Sequence, residues 1–128
     1  MVLKERIAWG IHAGKTGDAD TLFIEQNCVA IGWPDMGNLS ELPDKREAFK
    51  NRMTERHPAM KSGTIRASHG QLYRFIYEMK LGDIVIYPSK RDRIIHIGEV
   101  KGAYRYNIDH KMSYPHQRSV KWLKKLPR

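Results

Sequence analysis

The order in which the apolar segments follow one another constrains this fold more than any other feature of the chain. Residues 6–12 alternate, with Ile7, Trp9 and Ile11 on one face, which is the pattern of a half-buried strand. Residues 13–18, Ala-Gly-Lys-Thr-Gly-Asp, break that alternation with turn formers. Residues 27–33 form a short apolar run stopped by Pro34, which predicts a buried strand delivering Trp33 to its end. Two helical patterns come next. Asp44 followed by Glu47 has the form of an N-cap with its acidic partner, and that helix should end before Pro58. Leu72, Phe75, Ile76 and Met79 recur at helical spacing within residues 65–80, and Gly82 terminates the run. Residues 83–87 and 94–100 then read as strands around a charged hairpin, and residues 118–122 as a last strand. Strand, strand, helix, helix and three strands is an α+β order with a curved, mostly antiparallel sheet. The strict strand–helix alternation of a doubly wound nucleotide-binding fold is absent.

At 128 residues, 41% hydrophobic and 29% charged, the whole chain reads as one domain, large enough to bury a core without metal or disulfide staples. Cys28 stands alone, which excludes an internal disulfide and a cysteine-cluster metal site and makes a reducing cytoplasm the expected compartment. No apolar run reaches the roughly 18 residues of a membrane span, and the first six residues lack the apolar stretch of a secretory signal.

The formal charge of +9 is unevenly distributed: residues 90–128 hold eleven of the 23 basic residues and only three of the 14 acidic ones. A one-sided basic surface concentrates polyanions, of which nucleic acid is the commonest in a cytoplasm.

Gly14-Lys15-Thr16 has the ending of a phosphate-binding loop, but Trp9 stands where that loop needs its first glycine. Its backbone amides can still meet a phosphate or a base edge. The six histidines show no metal-ligand spacing and no nucleophile–histidine order stands out, so neither metal nor cofactor is expected; His116, beside a turn, reads as a surface residue. Asp83 followed by Glu99-x-Lys101 is a pattern of metal-dependent nucleases, in which acids hold Mg²⁺ and a lysine assists the attacking water. Glu-x-Lys is equally an ordinary solvated strand, with both side chains on one face. The aromatics form the better constellation. Trp33 lies at a strand end, and Tyr104 and Tyr106 follow Gly102 where another strand is left. Aromatic faces beside basic residues sandwich unstacked bases, each stack contributing about 1–3 kcal/mol. Trp9 and Trp122 read as core.

Residues 9–18 (Trp-Gly-Ile-His-Ala-Gly-Lys-Thr-Gly-Asp), 30–33, 82–88, 97–106 and 118–122 together resemble the PUA-like superfamily that includes EVE and YTH domains, in the form found at the N-terminus of Mrr-like restriction endonucleases. The resemblance spans nearly the whole chain. It implies a small β-barrel-like sheet flanked by two or three helices, with a pocket that takes a flipped, modified base into an aromatic cage and performs no catalysis itself. Trp33 occupies the place of one cage wall and Tyr104 or Tyr106 that of the other, where the YTH pattern has Trp. His12, Lys15, Thr16 and Asp18 fall where the base edge is read. Glu99-x-Lys101 falls within a barrel strand. A nuclease domain follows this module in the resembling enzymes, so residues 1–128 are expected to be an excised module or a stand-alone reader.

The expectation is therefore a DNA-binding reader of a restriction system. Its partner is duplex DNA carrying a modified base, and Lys90, Arg91, Arg93, Arg105, Lys111 and Arg118 hold the phosphates. An RNA-binding PUA-like module and a Mg²⁺-dependent nuclease using Asp83, Glu99 and Lys101 are the alternatives.

Overall fold

The computed structural model describes residues 6–110 and 113–127, and Lys111 lies outside them. Strands β1 (Ala8–Gly10) and β2 (Cys28–Ile31) enclose helix α1 (Asp20–Gln26). Helices α2 (Arg46–Arg56) and α3 (Ser62–Tyr73) follow, and α3 runs on into a single π-helical turn over Arg74–Glu78. Strands β3 (Ile84–Pro88), β4 (Ile94–Val100), β5 (Arg105–Tyr106) and β6 (His116–Pro127) complete the order. The fold is α+β, with helices flanking a curled half-barrel sheet.

Strand β6 makes the sheet curl because it changes partners along its length. Its first residues pair with β2, from Ile31↔His116 to Cys28↔Ser119, and with β5 on their other side at Gln117 and His116. From Val120 to Pro127 it pairs with β4 instead. The path is β1-β3-β4-β6-β2, antiparallel except for the parallel pair β1–β3. Leu123 is an extra residue in β6, since Ile97 faces Lys124 while Gly98 faces Trp122. Such a bulge bends the strand and adds twist. Gly98 permits it: a Cβ there would stand 2.8 Å from the Trp122 ring, whose indole nitrogen donates to Phe23 O at 3.0 Å.

Two apolar clusters fill the molecule. Phe23, Val29, Val85, Tyr87, Val100 and Val120 pack between the sheet, α1 and the end of the π turn. Met36, Leu39, Phe49, Met53, Ile65 and Leu72 join α2 and α3 to the turns after β2. Ile31 and Tyr104 touch both clusters, so the junction between them lies at the end of β2.

The helices depart from the sequence reading in three places. Helix α1 was not expected: it has seven residues, buries only Phe23, and Ala19 at its N-cap offers no capping side chain, so neither periodicity nor a cap marks it. Helix α2 begins one position later than Asp44 suggests. Lys45 is its N-cap, and Asp44 instead accepts a hydrogen bond from the Tyr73 hydroxyl. The pattern over residues 65–80 is one α-helix up to Tyr73, then a wider π turn closed by Met79 N donating to Arg74 O at 2.8 Å.

Candidate functional site

A cavity of about 670 Å³ opens in the surface where β1 and β2 end. That volume lies within the roughly 300–1,000 Å³ typical of ligand sites. Trp9, Ile11, His12 and Lys15 border it from β1 and the loop beyond, Ile31 and Trp33 from β2, and Tyr114 from the approach to β6. Gln71, Arg74, Phe75 and Met79 complete it from α3 and the π turn. Aromatic and aliphatic surface dominates. Among the described residues the charged side chains that line it are Lys15 and Arg74, and no carboxylate does.

Trp33 reaches this cavity through an unusual backbone. Its φ of 64° and ψ of 53° place it in the left-handed region, which costs a non-glycine residue roughly 1–2 kcal/mol. Two hydrogen bonds to its carbonyl hold it there, from Met36 N at 3.1 Å and from His116 Nε2 at 3.0 Å. The ring edge of His57 lies against the half-buried indole, with centroids 5.4 Å apart. His116 is thus a buried clamp and not the surface residue read from sequence. Burial depresses its pKa, outweighing the raising effect of the Trp33 carbonyl. With Nε2 donating, Nδ1 accepts from the Tyr104 hydroxyl at 2.8 Å, and that hydroxyl accepts from Leu39 N at 3.1 Å.

This chain of contacts removes Tyr104 from the cavity wall. Its ring stacks on His116 at 5.9 Å and burial pushes its pKa to about 12. Tyr106 also leans on His116, at 5.9 Å, because β5 folds back to pair with β6 there. The second phenol at the cavity is Tyr114, whose hydroxyl donates to Asp18 Oδ1 at 2.7 Å. Burial and that carboxylate push its pKa to about 12. Asp18 therefore latches Tyr114 to the loop after β1 and does not itself line the cavity. Gly14, at φ 78°, accommodates the latch: a Cβ there would collide with both the Asp18 carboxylate and the Tyr114 hydroxyl. Thr16 is exposed beside the loop without bordering the cavity, whereas Trp33, His12 and Lys15 do border it.

The basic residues divide sharply. Lys90, Arg91 and Arg93 are exposed on the β3–β4 hairpin, which is tied to the loop after β1. Lys90 Nζ donates to Lys15 O at 2.7 Å and Arg91 Nη1 to Thr21 Oγ1 at 3.2 Å. Arg105 is exposed too, although its guanidinium bonds Gln117 Oε1 and Ser119 Oγ. Arg118 is a correction: it is 3% exposed, and donates to Gly102 O at 2.9 Å, Phe75 O at 3.0 Å and Met79 O at 2.6 Å. A phosphate cannot reach it. It ties Phe75 in the π turn and Met79 at its end to Gly102, beyond β4.

The residues of the acidic pattern are held by different partners. Asp83 is buried, its Oδ2 accepting from Trp9 Nε1 and Lys80 N, both at 2.9 Å, and its Oδ1 from Ile7 N at 3.4 Å. Burial alone would raise its pKa, but these donors outweigh it and the net shift is downward. Glu99 instead pairs with Lys101 at 3.0 Å on the strand surface. Among the described residues no group of three or more His, Cys, Asp or Glu gathers to hold a metal ion.

Sequence reasoning missed Gln71, Arg74, Phe75, Met79 and Tyr114. The first four lie at i, i+3, i+4 and i+8, one helix face, so the spacing that marked Phe75 and Met79 as core also marked Gln71 and Arg74 as their neighbours.

In comparisons with known proteins, the model of the family described as Domain of unknown function (DUF8426) matches residues 9–128. No curated protein and no solved structure matches. No helix among the described residues is long and apolar enough to cross a membrane.

Proposed function

We propose that this chain, which belongs to the DUF8426 family, is a DNA-binding reader that tests one flipped, modified base in the cavity while basic residues outside it hold the phosphates. The observation that carries this reading is the coupling of two features. An aromatic cavity with no carboxylate among its described lining residues opens beside Lys15, and the loop bearing Lys15 is fastened to the hairpin of Lys90, Arg91 and Arg93. An extruded base needs flat apolar walls and a few polar groups, and its flanking phosphates need cations within a few ångströms of the mouth. Trp33 supplies one wall and Trp9, anchored through its indole nitrogen to Asp83, a second indole. The cavity exceeds what an unsubstituted base fills, which leaves room for a modification.

On this reading the chain works without catalysis, in the cytoplasm, within a restriction or defence system. The resemblance to the N-terminal domains of Mrr-like endonucleases supports that setting, and a lone Cys28 whose buried thiol is pushed to high pKa suits a reducing compartment. The test is equilibrium binding at fixed salt to duplexes carrying unmodified, methylated or hydroxymethylated cytosine or methylated adenine, with a structured RNA alongside. One modified duplex should bind more tightly than its unmodified parent. Equal affinity across the DNA panel, or tighter binding of the RNA, would contradict the proposal.

A further inference from the structure

The polar groups of the cavity are unevenly matched, and Arg74 is the most unusual of them. It stands where α3 gives way to the π turn, and such turns recur at functional sites because they re-aim side chains. It lines the cavity one helical turn after Gln71, together with the apolar Phe75 and Met79. The nearest acid along its own helix is engaged elsewhere: Glu78 pairs with Arg46 at 2.9 Å, and the Arg46 guanidinium lies 4.9 Å from the Tyr73 ring centroid. Among the described residues no carboxylate pairs with Arg74. Arg74 borders the cavity with a half-buried side chain whose guanidinium lies close to Gly70, beside that of Arg46. A guanidinium at a cavity edge with no carboxylate of its own offers a planar fork of donors to whatever occupies that space.

Resting on the reading of the cavity as a base pocket, we propose that Arg74 is its specificity-determining residue and selects an edge carrying two adjacent acceptors. Guanine, through O6 and N7, and a carboxylated pyrimidine, through its carboxylate, share that chemistry. A base whose projecting edge offers only an amino or methyl group does not. Lys15, which borders the cavity from the loop after β1, adds a second cation and favours the same class of edge.

The test uses duplexes with a single unpaired central base: guanine, 7-deazaguanine, 5-carboxylcytosine or 5-methylcytosine. Quenching of tryptophan fluorescence reports a base against Trp33 and Trp9, and the dissociation constants report selection. For the unaltered protein, guanine over 7-deazaguanine or 5-carboxylcytosine over 5-methylcytosine should show a preference of about 5- to 150-fold, the range of a bidentate contact. Which pair shows it identifies the source of the acceptors. Arg74→Gln should bring that ratio close to one while quenching persists, and a melting curve confirms that the variant is folded. Quenching by every duplex with ratios near one, or a preference that survives in Arg74→Gln, would overturn the role of Arg74 while leaving the base pocket standing. Absence of quenching by all four duplexes would remove the pocket itself, and this inference with it.

Discussion

Replacing Arg118 by Met separates a structural cation from a DNA-binding one. The substitution keeps an apolar stem of similar length and removes three donated hydrogen bonds, leaving the carbonyls of Phe75, Met79 and Gly102 buried without those partners. Each such group costs about 1–3 kcal/mol when left unsatisfied. Relief of the guanidinium's own desolvation, several kcal/mol, offsets part of the loss. A net destabilisation of about 3 kcal/mol follows, which for a chain of this size lowers the melting temperature by roughly 10 °C. Thermal denaturation followed by circular dichroism measures it. Binding of unmodified duplex as a function of salt, measured below the new melting point, should keep its slope. If stability is unchanged and the log–log slope falls by about 0.9, Arg118 contacts a phosphate and the buried position assigned to it is wrong.

Reversing Lys90, Arg91 and Arg93 to Glu should weaken binding to all duplexes about equally and flatten the salt slope by about 0.9 for each phosphate that is no longer neutralised; titration at four salt concentrations decides it, and an unchanged slope would place the DNA elsewhere. The His116 pKa is lower in the folded chain than in the unfolded one, so the unfolded chain takes up the proton first as pH falls. Stability should therefore decline from about pH 6.5 downward and level off below the folded pKa, and His116→Gln should lack this decline in urea melts; a parallel decline in both proteins would contradict the clamp. Asp83, whose folded pKa is depressed, contributes stability above its unfolded value of about 4 that is lost on further acidification. Asp83→Asn sets an amide donor against one of the three donors and should cost about 1–3 kcal/mol at neutral pH. Plasmid incubated with the protein and Mg²⁺ or Mn²⁺ should stay intact; cleavage abolished by Lys101→Ala would favour the nuclease alternative over the reader.

Much of the sheet was legible because its strands alternate: Val85 and Tyr87 are buried between half-buried Ile84, Ile86 and Pro88, as period-two reasoning requires. Strand β6 extends further than residues 118–122 because Lys121, Lys124 and Lys125 face solvent, and a run of lysines hides a strand from a search for apolar residues. The place of Trp33 at the mouth of a cavity was readable from Pro34, although the left-handed turn that aims it was not. The opposing aromatic was misplaced for a definable reason. Local order puts Tyr104 and Tyr106 after a strand, but only the long-range pairing of β5 with β6 turns them onto His116, and only the hydrogen bond from Tyr114 to Asp18, 96 residues earlier, brings the other phenol to the cavity. The basic third was similarly deceptive. Net charge alone cannot separate Arg118, buried under three carbonyls, from Arg91 on an open hairpin.

The base pocket is tested most directly by Trp33→Ala, read as affinity for the preferred modified duplex against its unmodified parent. Loss of a stacking wall worth about 1–3 kcal/mol should weaken the modified duplex roughly 5- to 150-fold and narrow its advantage over the parent. Binding of the parent duplex, held by the basic hairpin, should change little. The half-buried indole should cost less stability than the roughly 3–5 kcal/mol of truncating a fully buried Trp. Unchanged discrimination in a folded Trp33→Ala protein, or unfolding of the domain on losing this one side chain, would show that Trp33 is core and that no base is read in this cavity.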